Sequence, residues 1–241
     1  MSDITAQLLA LRASTADLIQ GLLAHPWADA DVATPSLCDG WTRGHVLTHL
    51  ARNADGIADT IAGALRGEMV ERYPGGDQAR NAAIEAGAGR PFATLVADVR
   101  DSADRLDRVF AAVADTDGWA LPTEHGNPAC AWVSRRWREV EVHRIDLAAD
   151  YTADRLPALL ITELISSTAE SLGKRADGPL RVTITEEGSR VPELVGRMWT
   201  VGEGDPVDVR GPDWAVLSWL IGRPAAANGA LSATPPLREW R

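Results

Sequence analysis

Between Thr42 and Leu65 apolar side chains recur every three or four residues: Val46, Leu50, Ala54, Ile57, Ile61 and Leu65. Residues so spaced share one side of an α-helix, and the stripe they form must be covered by a partner. The same device appears three more times before residue 150. Asp3 to Leu23 carries Ile4, Leu8, Leu11, Leu18, Ile19, Leu22 and Leu23, and Pro26 stops it. Pro91 to Ala114 carries Phe92, Leu95, Val99, Leu106, Val109, Phe110 and Val113. Val133 to Ala149 follows the loop "DTDGWALPTEHGNPACAW". Gly67 and "YPGGD" mark a loop between the second and third segments. Four amphipathic helices predict a bundle, whose ligand sites lie between facing helices.

The pattern then changes. Pro157 to Gly173 reads as a fifth helix, and "LRVTIT" from Leu180 to Thr185 alternates as a strand does. "RMWTVG" and "VDVRG" read as two further short strands. "PDWAVLSWLIGR" reads as a helix that starts at Pro212 or Asp213. The expected fold is α+β: a helical bundle over residues 1–152, then a small α+β domain over 153–241 with an antiparallel sheet. No internal repeat or low-complexity segment interrupts this plan.

A formal net charge of −10, spread along the chain, argues against nucleic acid as a partner, though not against a local basic pocket for a small anion. Cys38 and Cys130 are too few for a disulfide framework, so a reducing cytoplasm is expected. The N-terminal stretch lacks the basic start and apolar core of a signal peptide. No apolar run reaches the ~18 residues of a membrane span, and no membrane partner is expected.

The fourth segment, "RRWREVEVHRIDLAADY", places charge among apolar residues. At about 100° per residue, Glu139 and His143 lie about 40° apart and about 6 Å along the helix, and Asp146 continues their stripe. Glu141 points elsewhere. A Glu and a His one turn apart are either a surface pair or two ligands of one metal ion. The second helix carries His45 and His49, also one turn apart. His49 adjoins Val46 and Leu50 and so turns inward; His45 lies nearer the exposed helix start. One His from this helix with Glu139 and His143 would make a three-ligand site with an open position, as in catalytic zinc centres. His45 and His49 with Glu139 are the rival set. His25 and His125 sit beside loop residues and read as surface positions. No P-loop, dinucleotide fingerprint or G-x-S-x-G motif occurs. Cys38 precedes a helix start, where a thiolate is favoured, but it reads first as a small packing residue, as does Cys130. Arg223 in "WLIGRP" is either a charge at a helix C-terminus or a carboxylate clamp.

Taken in order, "SLCDGWTRGHVLTHLARNADG", "QARNAAIEAGAG", "SRRWREVEVHRIDL", "WLIGRP" and "PPLREW" resemble the mycothiol-dependent maleylpyruvate isomerases, within the DinB-like superfamily of metal-binding helical bundles. The likeness covers essentially the whole chain. The "GWT", "HLA" and "RE" patterns with their histidines are shared across the superfamily, whereas "QARN" and the C-terminal "GR" are closer to the isomerases. The resemblance implies a DinB-like four-helix bundle, Zn²⁺ held by His49, Glu139 and His143, and Arg223 as a catalytic residue, with Asp146 behind the ligands. It implies mycothiol as cofactor, a small anionic substrate and a cytoplasmic monomer. Cys38 and Cys130 stand where relatives vary, and Trp137 and Arg138 widen an arginine-rich stretch. The reaction so implied converts maleylpyruvate to fumarylpyruvate in gentisate-type aromatic degradation. A thiolate adds to the conjugated alkene, the former double bond rotates, and the thiol leaves. A mycothiol S-transferase and a non-catalytic zinc-stabilised binding module are the alternatives.

Overall fold

The structure is a computed structural model that describes residues 4–24, 26–224 and 229–238. His25 and the last two residues of "PPLREW", Glu239 and Trp240, lie outside the described residues. The chain forms two compact units, Met1–Ala148 and Ala149–Arg241.

The first unit contains α1 (Ile4–Ala24), α2 (Arg43–Leu65), α3 (Gly76–Ala88), α4 (Phe92–Asp115) and α5 (Ala131–Asp146). Four of these are the helices that the apolar stripes predict. Helix α2 packs against α4, α3 and α5, while α1 packs against α5 and α4. Leu47, Leu50, Ile57 and Ile61 of α2 meet this core fully buried, with Leu95 and Phe110 of α4 and Trp137 and Val140 of α5. Burying each such side chain contributes about 1.5–3 kcal/mol. Thr42 caps α2: its hydroxyl accepts from the His45 amide, and the His45 ring accepts from the Thr42 amide.

Helix α3 replaces part of the expected loop. Its sequence, "GDQARNAAIEAGA", buries only Ile84, Gly87 and Ala88, so it has almost no apolar stripe to read. It is held instead by close backbone approach. A Cβ on Gly44 of α2 would meet the Ala88 carbonyl oxygen at 2.0 Å, and one on Gly87 would meet Thr48 at 2.5 Å. The return segment uses the same device on α2, with Arg72 against Gly56 and Val70 against Gly63.

The second unit contains α6 (Ala158–Glu170), the single turn α7 (Leu172–Arg175), β1 (Leu180–Ile184), β2 (Met198–Val201), β3 (Val207–Gly211) and α8 (Asp213–Leu220). Helix α8 packs on α6, β1 and β3. The sheet order is β2-β1-β3. Strands β1 and β2 pair antiparallel, with Leu180 opposite Val201. Strands β1 and β3 pair in parallel, with Leu180 opposite Val207, so the sheet is mixed and the expected antiparallel sheet is corrected. The connection from β2 to β3 passes over the start of β1, with Gly202 at φ 77° pressed against Pro179. Strand β3 thus lands beyond β1 instead of beside β2. Alternation reports which face a strand buries but not its neighbour or its direction.

Among the described residues, no helix is long and apolar enough to cross a membrane.

Candidate metal centre

Helix α5 carries two kinds of side chain inward. Trp132, Val133, Trp137 and Val140 fill the core. Trp137 also donates its indole N–H to Ser14 Oγ at 2.8 Å. Arg136, only 1% exposed, donates through Nη1 to the Leu50 carbonyl and to Asn53 Oδ1 of α2. Burial lowers its pKa to about 10, which leaves it charged at neutral pH. These bonds fix the register of α5 against the part of α2 that carries His49.

In that register His49, Glu139 and His143 converge. One donor atom from each lies within 4.8 Å of the others. Glu139 Oε2 is 2.8 Å from His49 Nε2 and 3.4 Å from His143 Nε2. The rings of His49 and His143 meet edge to face, with centroids 4.6 Å apart. His49 is 3% exposed, and the other two side chains are shielded at 22% and 14%. Burial is the main cause that lowers the His49 pKa to about 4, so the ring is neutral at pH 7. Burial alone would raise Glu139, but hydrogen bonds from His143 and His49 hold it well below the usual carboxylate range. Burial would likewise lower His143, but contacts with Asp146, Cys38 and Glu139 raise it well above an ordinary histidine.

Asp146 does more than pack. It is fully buried, and its Oδ2 accepts from His143 Nδ1 at 2.8 Å and from the Cys38 thiol at 3.1 Å. This carboxylate fixes the His143 ring so that Nε2 faces Glu139 and His49. The loop before α2 is docked on the end of α5, where the Leu37 amide donates to the Asp146 carbonyl. Arg43 strengthens the junction by donating to the carbonyls of Leu147 and Ala148. The same loop sets Trp41 over the cluster, with its ring 5.4 Å from His49 and 6.4 Å from His143.

The rival set is not assembled. His45 Nε2 donates to Glu85 of α3 at 2.9 Å and its Nδ1 faces Thr42, so the ring serves the helix start. It is also less exposed than its place near the helix start suggested, at 14%. Glu141 is outside the cluster and is buried. His125, at 82% side-chain exposure, is a surface residue. Cys38 touches Asp146, a role that packing alone did not suggest. Arg223 closes α8 of the second unit. Its amide donates to the Ser218 carbonyl and the Gly222 amide to that of Trp219, with Gly222 at φ 75°. This is a Schellman cap, and Arg223 Nη1 adds a bond to the Ile221 carbonyl at 2.7 Å.

Trp41 and Arg80 border the cluster and had no role assigned from sequence. Arg80 Nη2 lies 3.1 Å from His49 Nδ1. Both residues belong to stretches that carry the resemblance, "GWT" and "QARN", but neither has a spacing that reveals a contact.

Donor chemistry and spacing suit a zinc-type cation. Bonds of about 2.0–2.2 Å in a tetrahedron place donors roughly 3.4 Å apart, close to the separations seen here. Two imidazole nitrogens and one carboxylate oxygen form a set that leaves a fourth position open. An outer carboxylate on a ligand histidine is the usual companion of such a site, and Asp146 would take that place were His143 to ligate.

Comparison with known proteins agrees with this architecture. The crystal structure of the mycothiol-dependent maleylpyruvate isomerase superposes with a TM-score of 0.80, covering 99% of this chain and 97% of that one, at 24% identity. A histidine-to-alanine mutant of that isomerase superposes equally well, at the same identity and coverage. No curated protein gives a significant match. Residues 8–148, more than half of the sequence, match the family described as the mycothiol maleylpyruvate isomerase N-terminal domain, and the chain belongs to that family.

Proposed function

We propose that this protein is a zinc- and mycothiol-dependent cis–trans isomerase that converts maleylpyruvate to fumarylpyruvate. The observation that carries the reading is the convergence of His49, Glu139 and His143 beneath Trp41, in a chain of this family. The structural neighbour supports it, since that protein is a mycothiol-dependent maleylpyruvate isomerase with the same fold.

His49, Glu139 and His143 would hold the cation. Zinc bound there would act as a Lewis acid, keeping a thiol deprotonated or polarising a substrate oxygen. Each protein group has a defined task. Glu139, already ionised, supplies negative charge. His49, already neutral, would offer the Nε2 lone pair once its single ring proton sits on Nδ1. His143 must release its Nε2 proton as it ligates, while Asp146 retains the proton on Nδ1. Trp41 covers one side of the cluster and limits water. Arg223 would pair with a substrate carboxylate, as the family resemblance implies, and restrain the anion while its central bond rotates. The nucleophile is borrowed from mycothiol, so neither Cys38 nor Cys130 is required for bond making. We place the reaction in the cytoplasm, where small thiols stay reduced, and expect a monomer.

The test is an ultraviolet assay of maleylpyruvate turnover by the zinc-loaded protein, with and without mycothiol. Fumarylpyruvate formed only with the thiol supports the reading. Accumulation of a stable thiol conjugate would make the protein an S-transferase. No thiol chemistry at all would leave a zinc-stabilised binding module.

A further inference from the structure

Arginines in the first unit are mostly committed to carboxylates. Arg12 pairs with Asp107, Arg52 with Asp55 and Asp98, Arg66 with Glu68, Arg90 with Asp98, and Arg105 with Asp55 and Asp59. Arg80 differs. Its Nη1 donates to Asn81 Oδ1 at 2.9 Å and its Nη2 to His49 Nδ1 at 3.1 Å, both neutral acceptors. Among the described residues it pairs with no carboxylate, although acidic side chains outnumber basic ones by 34 to 24. The guanidinium carbon lies 5.9 Å from the Trp41 ring and 5.7 Å from the Tyr73 ring. Aromatic faces near a guanidinium replace water above its plane and leave the N–H fork for an in-plane acceptor.

The bond to His49 is not the whole role of Arg80. A guanidinium has only donors, so His49 Nδ1 must accept from it, and the ring proton then lies on Nε2. If Nε2 ligates a cation, the proton belongs on Nδ1 and two donors face each other. In the loaded site Arg80 must therefore find another acceptor. Glu139 would itself ligate the cation there, with Arg138 Nη2 already 3.8 Å from its other oxygen. Backbone displacement is restricted, because α3 is seated on α2 at Gly44 and Gly87, so the adjustment falls to the Arg80 side chain.

We propose that Arg80 is a substrate-specificity residue, a fork that binds a carboxylate of a small organic dianion beside the metal cluster. This rests on the isomerase reading for the identity of the dianion, and it gives Arg80 a role separate from the one proposed for Arg223. Substrates with a carboxylate close to the reacting alkene would be selected over neutral electrophiles that only need a thiol.

The experiment uses the full-length, zinc-loaded protein and succinate as probe, a dicarboxylate with no alkene for a thiol to attack. Binding is followed by calorimetry, and zinc content is measured on the same samples. Arg80→Gln should weaken succinate binding tenfold or more with zinc stoichiometry unchanged, and Arg80→Lys should recover only part of it. With maleylpyruvate, Arg80→Gln should raise KM at least tenfold and change kcat less. Succinate binding within twofold of wild type in Arg80→Gln overturns the proposal, as does a wild-type protein that binds no succinate at millimolar concentration. If Arg80→Gln loses zinc, Arg80→Lys decides: normal zinc with undiminished succinate binding also overturns it. Arg80-dependent succinate binding without any turnover of maleylpyruvate would sink the isomerase reading and leave the carboxylate fork standing.

Discussion

Replacing Asp146 by Asn tests whether the buried carboxylate tunes the proposed metal centre or merely fills space. The substitution keeps the side-chain volume and one carbonyl oxygen, so it can still accept from His143 Nδ1, now 2.8 Å away. It removes the negative charge, which is fully buried and shared between His143 and the Cys38 thiol. His143 Nε2 becomes a poorer donor to a cation, because the positive charge that ligation places on the ring loses its counter-charge. Loss of such an outer carboxylate lowers metal affinity about 10- to 100-fold. That corresponds to about 1.4–2.7 kcal/mol of binding free energy. Competition with a chromogenic chelator at pH 7 gives the zinc affinity directly, and circular dichroism checks the fold. Asp146→Ala should lose more, since His143 Nδ1 then loses the carboxylate oxygen that accepts from it. If Asp146→Asn binds zinc as tightly as wild type with the fold intact, the carboxylate does not tune the site.

Further substitutions separate the remaining roles. His49→Ala, Glu139→Gln and His143→Ala should each abolish stoichiometric zinc by metal analysis, while His45→Ala should keep zinc and lose only its bonds to Thr42 and Glu85. Arg223→Ala should lower kcat/KM about ten- to hundredfold, since a charge-assisted bidentate contact contributes about 1.5–3 kcal/mol. Its melting temperature should barely move, because the cap on α8 is made by backbone amides; turnover close to wild type would return Arg223 to a helix-end charge. Cys38→Ser and Cys130→Ser should retain most thiol-dependent activity, and a hundredfold loss in a folded variant would place the nucleophile on the protein. Gly44→Ala should destabilise the protein by about 1–3 kcal/mol in a denaturant titration, because the added methyl meets the Ala88 carbonyl at 2.0 Å.

The bundle could be read because apolar periodicity is a direct image of burial. Most stripe residues of α1, α2 and α4 lie on the buried faces of those helices; Leu23, 57% exposed at the end of α1, is the exception, and Ile4, Ile19, Leu65 and Val109 are half-buried. Helix α3 escaped because close glycine contacts hold it, and these leave no hydrophobic signature. The same cause hid Arg80, whose position depends on where α3 sits. Helical spacing was enough to place Glu139 and His143 on one face, and the neighbours Val46 and Leu50 were enough to turn His49 inward ahead of His45. What the sequence left open was the partner of each ring, since Thr42 and Glu85 engage His45 and Glu139 engages His49 only once the helices pack. Asp146 could be placed on the right stripe, yet its contact with Cys38 spans 108 residues and has no local sequence sign. The parallel pairing of β1 with β3 is hidden for a related reason, since strand alternation does not encode which edge the chain reaches next.

Helix α2 works as a ruler. Gly44, Gly56 and Gly63 mark where Ala88, Arg72 and Val70 touch its backbone, and His49 is a graduation between the first two. One residue inserted between His49 and Gly56 would rotate every later position by about 100° relative to the histidine. The cluster or the glycine contacts could keep their alignment, but not both. Length can change only outside these contacts: within residues 67–75, Val70 and Arg72 are seated on α2, whereas Pro74 and Gly75 are exposed and precede α3. A chain built this way keeps the count of residues from Gly44 to Gly63 constant, so insertion scanning should find α2 intolerant of length change and the exposed Pro74–Gly75 turn permissive.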